Sequence, residues 1–204
     1  MRIIRADTAD SDIFSPEKLA FGACCFFTED RNSTYFFEIH GQKATLFPEK
    51  NVYIAEVIRE FLAYSNFICE IYDSSGNILL KIPQKESKLL DIRKIQPSQF
   101  YINGRKLANC QNWIKTRKDI FIPVTAHGGK IIALDGHSRL KAAAALGFDT
   151  VFVYEDETEE YIFDFAIEAE KRRIYSVFDM EILTDEEYTV KWREYCQNFF
   201  GTTT

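Results

Sequence analysis

The sequence predicts an α+β fold of mixed α/β kind: an N-terminal β-β-α-β-β unit, a second α/β unit and a C-terminal helical extension. Three observations predict it. Short runs of β-type alternation are interleaved with apolar stripes at helical spacing. The polar, proline-led stretch Pro83-Gln84-Lys85-Glu86-Ser87-Lys88 breaks the chain near its middle. An apolar strand runs through the single glycine Gly136 straight into an alanine-rich helix. The expected divisions are residues 1–84, 85–154 and 155–204, and at 46% hydrophobic and 15% aromatic content the 204 residues are ample for real cores.

In the first unit, Lys18 to Phe27 and Ser33 to His40 read as two strands of a hairpin around the turn Glu29-Asp30-Arg31-Asn32. After Phe47-Pro48, Ile54, Val57, Ile58, Phe61 and Leu62 recur at helical spacing, with Asn51 as the candidate cap. Phe67 to Tyr72 alternates as a strand, Ser74-Ser75-Gly76-Asn77 turns, and Ile78 to Ile82 is a second strand. No constellation of chemical groups stands out here, which leaves this unit as a surface for a protein partner or a second subunit.

The second unit opens with a short strand at Leu89 to Ile92, broken by Gln96-Pro97-Ser98-Gln99. Leu107, Cys110 and Ile114 share one face of a helix from about Asn103 to Lys115, and Ile120 to Val124 is a strand. His127-Gly128-Gly129-Lys130 is a hairpin turn whose glycines can take positive φ. The chain returns through Ile131 to Leu134, enters a helix from His137 to Leu146 that stops at Gly147, and continues as a strand from Thr150 to Tyr154. In the extension, Tyr161, Ile162, Phe165, Ala166 and Ala169 form a helical stripe. Thr184-Asp185-Glu186-Glu187 is a capping box that opens a last helix bearing Tyr188, Trp192, Tyr195, Cys196 and Phe199.

The charge distribution narrows the function classes. A formal charge of −6 and a pI near 5.2 disfavour a surface given over to nucleic acid. Yet residues 81–118 carry ten basic side chains against Glu86 and Asp91, a local net of +8, and residues 155–187 carry a net of −10. The basic stretch keeps nucleic-acid binding open as a minor reading. Five cysteines without C-x-x-C spacing read as reduced core thiols, and no stretch has the length of a membrane span, so a cytoplasmic protein is expected. Three scattered histidines without ligand spacing predict no protein-only metal site.

The chemistry concentrates at Leu134-Asp135-Gly136-His137-Ser138-Arg139-Leu140. A glycine turn that opens a helix points unpaired N–H groups, backed by the helix dipole, at whatever sits in front of them, which is an anion-binding arrangement. Gly136, His137, Ser138 and Arg139 are the candidate phosphate-binding residues, with Arg139 available as a planar fork. Asp135 either caps the helix or orients a hydroxyl or a metal-bound water, and His137 is a phosphate donor, a proton carrier or a surface residue of the first turn. Asp135 and His137 are thus the candidate catalytic pair.

Taken in order, Ile122-Pro123-Val124, the run Lys130 to Ala143 and Leu146-Gly147-Phe148-Asp149-Thr150-Val151 resemble the ParB/sulfiredoxin superfamily, over roughly Leu89 to Tyr154. His137 stands where sulfiredoxins have their catalytic cysteine, and the loop lacks the glutamate and paired arginines of chromosome-partitioning ParB proteins. Its Asp-Gly-His-x-Arg form is similar to that of the free-serine kinases. That resemblance implies ATP, ADP or CTP with Mg²⁺ as ligand, or another phosphorylated small molecule. It leaves three readings: a nucleotide- or phosphate-binding module, a small phosphotransferase or nucleotide hydrolase, and a ParB-like nuclease or nucleic-acid binder. The loop departs from the kinases at Ser138, where they usually carry a second histidine, and no acid before the Pro-Val strand stands in the place of their catalytic glutamate.

Overall fold

The computed structural model describes residues 1–6, 10–20 and 24–201. The fold is α+β, and the chain divides into two compact units, Met1–Lys85 and Glu86–Thr204.

The first unit is one six-stranded sheet in the order β1-β2-β3-β4-β5-β6. Its strands are β1 (Ile3–Arg5), β2 (Cys25–Thr28), β3 (Thr34–His40), β4 (Lys43–Pro48), β5 (Glu70–Asp73) and β6 (Ile78–Lys81), with helices α1 (Pro16–Ala20) and α2 (Ile54–Tyr64) between them. Neighbours are antiparallel except β4 and β5, which run parallel because α2 carries the chain across between them. Val57 and Phe61 of α2 are fully buried, as are Phe26, Phe37 and Leu46 of the sheet. The Phe37 and Phe61 rings stack at 3.8 Å, and Phe26 meets both edge-on.

Several sequence expectations shift here. Lys18 to Ala20 is helical rather than strand, because Ser15-Pro16 starts a helix: the Ser15 hydroxyl accepts from the Lys18 amide at 3.4 Å, and Pro16 stands at the first helical position. The strand begins only at Cys25, and residues 21–23 of the expected strand lie outside the described residues. Asn51 does not cap α2. Tyr53 occupies that position with φ 53°, and no side chain caps there. Within this unit, strands β1 and β4 are not expected from the sequence, although β4 buries Ala44 and Leu46 in regular alternation. The strand expected from Phe67 starts at Glu70, because Ser65 to Ile68 makes a turn that buries Phe67 and Ile68 side by side.

The second unit holds β7 (Ser87–Asp91), β8 (Ile95–Gln96), β9 (Tyr101–Asn103), β10 (Phe121–His127), β11 (Lys130–Ala133), β12 (Thr150–Glu155) and β13 (Glu181–Leu183). Its helices are α3 (Gly104–Trp113), α4 (His137–Ala145), α5 (Tyr161–Lys171), α6 (Asp185–Tyr188) and α7 (Glu194–Gly201). The main sheet runs β7-β12-β10-β11-β8, and β13 pairs in parallel with β9. Gly128 and Gly129 take φ 57° and 77° at the β10–β11 turn, as the sequence predicts. The expected extension is not a separate unit: its Ala169, Ile174, Val177 and Met180 are buried with Ile95, Ile122, Leu140 and Val153. The last helix departs from expectation in one respect, since five residues, Thr189–Arg193, form a widened π turn between α6 and α7.

Candidate functional site

Strand β11 delivers the loop. The Leu134 amide still bonds to Pro123 O at 2.9 Å, and Asp135 then leaves the sheet. Gly136 takes φ 81°, ψ 19° as the N-cap of α4, and the first intrahelical bond runs from the Leu140 amide to Gly136 O at 2.9 Å. The amides of His137 and Ser138 therefore precede the first intrahelical bond. Glycine is required twice over here. The left-handed backbone disfavours an L side chain, and a Cβ would stand 2.8 Å from Ile122 Cδ1 and 3.0 Å from Arg139 Nη2. Leu140, Ala142 and Ala143 are fully buried, so the small residues of α4 let it lie close against its surroundings. Gly147 at φ 80°, with the Phe148 amide on Ala143 O at 2.9 Å, closes the helix in a Schellman motif.

The five expected site residues have distinct environments. Asp135 is 76% exposed at its side chain and accepts from Arg139 Nη2 at 3.2 Å. Its protein surroundings oppose ionisation, but Arg139, the Gly136 amide and the nearby His137 and Lys106 outweigh them and hold the carboxyl below its ordinary value. Arg139 is 16% exposed at its side chain and also donates through Nη1 to Phe121 O at 2.8 Å, so its fork ties the loop to the start of β10. Ser138 is half-buried.

His137 is buried, and its Nε2 accepts the Ser98 amide at 3.1 Å. A ring that accepts at Nε2 carries its proton at Nδ1 when neutral. Burial pushes its pKa down to about 4, with Arg139 adding to the effect and Asp135 opposing it. Ser98 in turn donates its hydroxyl to Ala133 O at 2.6 Å. The His137 ring is thereby engaged with the segment before β9, and Asp135 is the acidic group presented to solvent at the loop.

Sequence reasoning missed the partners. Ser98 stood in a stretch read only as a strand break, and nothing in local spacing couples it to a histidine 39 positions later. Lys141, one turn into α4, donates to the carbonyls of Val177, Phe178 and Met180 at 3.0, 3.3 and 3.0 Å and fastens the extension to the helix. Lys106 of α3 acts on the Asp135 carboxylate through its field. The basic stretch is partly neutralised: Arg93 pairs with Asp91 and Asp149, Arg105 pairs with Asp185, and Arg117 donates to Thr150 Oγ1. Among the described residues, no group of three His, Cys, Asp or Glu side chains is placed to hold a metal ion. Nor is any helix among them long and apolar enough to cross a membrane.

Comparison with family models and with curated proteins gives no match. Among solved structures, protein Atu1540 from Agrobacterium tumefaciens is similar over 46% of this chain and 51% of its own, at 18% identity and a TM-score of 0.33. The chain thus spans about half the length of that protein.

Proposed function

We propose that the second unit is a ParB/sulfiredoxin-like binding module that holds the phosphate of a nucleotide at the N-terminus of α4. The observation that carries this reading is the left-handed Gly136 turn, which opens the helix with only Leu134 and the exposed Asp135 between it and the end of β11. Backbone amides and the helix dipole favour an anion in front of such a turn. The amides of His137 and Ser138 are the groups that fit a phosphate; ATP, ADP or CTP with Mg²⁺ are the candidate ligands. Binding is favoured over turnover because His137 of the candidate catalytic pair is already engaged by the Ser98 amide, as Arg139 is by Phe121 O.

Calorimetric titration of ATP, ADP and CTP, with and without Mg²⁺, tests the reading against Ser138→Asp. An acid in the first turn complements the helix dipole, so this variant should fold as well as wild type. It also sets a negative charge where the phosphate would sit, and binding should weaken at least about tenfold. No binding of any nucleotide by the folded wild type, or equal binding by the variant, overturns the proposal.

A second reading, phosphoryl transfer, is favoured by one observation: Asp135 is an exposed carboxylate held in its charged form. In such a reaction it would orient or deprotonate an acceptor hydroxyl. Asp135→Asn separates the two readings. For a binding module it removes a charge that repels phosphate and loosens Arg139, so affinity should rise; for a phosphotransferase it should abolish product while binding persists.

A further inference from the structure

Strand β1 forms one edge of the first unit's sheet, and the phase of its ladder leaves half of its backbone groups facing away from β2. The Glu29 amide donates to Arg2 O at 3.0 Å and the Ala6 amide to Cys25 O at 2.9 Å, with Ile4 paired to Phe27 between them. Hydrogen-bonded pairs alternate along an antiparallel ladder. Arg2, Ile4 and Ala6 therefore bond toward β2, and the N–H and C=O groups of Ile3 and Arg5 face outward. Among the described residues no other strand pairs with this edge. Beside it lies a cleft of about 780 Å³, walled by Arg2, Arg5 and Glu29 on the sheet side and by Glu56, Arg59 and Glu60 of α2 on the other.

We propose that this edge pairs with the same edge of a second copy, antiparallel, about a two-fold axis at Ile4. In that register Ile3 stands opposite Arg5 of the second copy, and each such pair exchanges two hydrogen bonds. The four bonds consume every outward backbone group of β1, and Ile4 meets its own counterpart on the axis. The interface is isologous, as a closed dimer requires.

Charge selects the same arrangement. Residues 1–6 of the edge carry Arg2 and Arg5 and no acid, whereas the α2 wall brings Glu56 and Glu60, the latter 4.0 Å from Arg59. Arg5 lies on the α2 side of the strand, 4.3 Å from the centre of the Tyr64 ring, so pairing brings the second copy's Arg5 toward these glutamates, and the symmetry repeats the match. In this register neither arginine faces an arginine: Arg5 lies opposite Ile3 and Arg2 opposite Ala6. A short, charged edge resists indiscriminate strand addition; here the acids that offset its charge lie on the same cleft, so self-pairing is the association they favour.

Light scattering and sedimentation of the intact chain up to about 100 μM test the proposal. The expected species is a dimer, twice the chain mass of 23.7 kDa. Arg5→Pro removes an outward N–H without touching the bonds to β2, a position where an edge strand tolerates proline, and should leave a folded monomer by circular dichroism. Should Arg5→Pro fail to fold, Glu56→Lys/Glu60→Lys decides: it alters only helix side chains and should weaken the dimer at least about tenfold. A wild-type monomer throughout this range, or a dimer unmoved in the folded variant, overturns the proposal.

Discussion

His137 shows how one residue's surroundings become a property of the whole protein. Its pKa lies near 4 in the fold, against an ordinary 6.5. Between these values the unfolded chain binds a proton that the folded one does not, so stability rises with pH across the interval. The contribution is complete above about pH 6.5 and is lost as pH falls through 4, a loss on the order of 3 kcal/mol. Urea midpoints measured at pH 7 and at pH 4.5 should differ for wild type, and the difference should shrink in His137→Asn. Gly136→Ala should cost about 1–3 kcal/mol, from the left-handed backbone and the crowding of Ile122, read as a lower thermal midpoint. The need for glycine was legible in the sequence, since a lone glycine between a strand and a helix has few other uses. The burial of His137 was not, because it depends on Ser98 and the strand end that Ser98 binds.

Among the elements, the helix starts were read best where the cap is local. Thr184 accepts the Glu187 amide at 3.3 Å while Glu187 accepts the Thr184 amide at 3.0 Å, which is the capping box expected there. Asn103 caps α3 by accepting the Lys106 amide at 2.9 Å, and it also donates to Asp185 Oδ1 at 2.6 Å. Asn103→Ala should therefore cost more than a cap alone, about 2 kcal/mol, because it also removes the bond that joins α3 to α6. Chemical denaturation of this variant beside Thr184→Ala, expected near 1 kcal/mol, checks the ranking. Asn51 shows the limit of the same rule: a capping residue two positions early has nothing to cap, and Tyr53 enters α2 without a side-chain cap.

At the scale of the molecule, each of the two units has buried core residues of its own. Phe61 anchors those of the first unit, stacked on Phe37 and edge-on to Phe26. Phe61→Ala should cost about 3–5 kcal/mol in that unit, seen as an earlier loss of far-ultraviolet circular dichroism. Both tryptophans, Trp113 and Trp192, belong to the second unit, so their fluorescence assigns the loss: an unchanged tryptophan transition places it in the first. By itself the sequence determined the α+β class, the glycine turns, the capping box at Thr184 and the strand–glycine–helix loop, because each is set by residues within a few positions of one another. Only the tertiary structure decided the strand order β7-β12-β10-β11-β8, the engagement of His137 and Arg139, and the open edge of β1. Those depend on groups brought together from distant parts of the chain by burial and backbone pairing, which local periodicity does not encode.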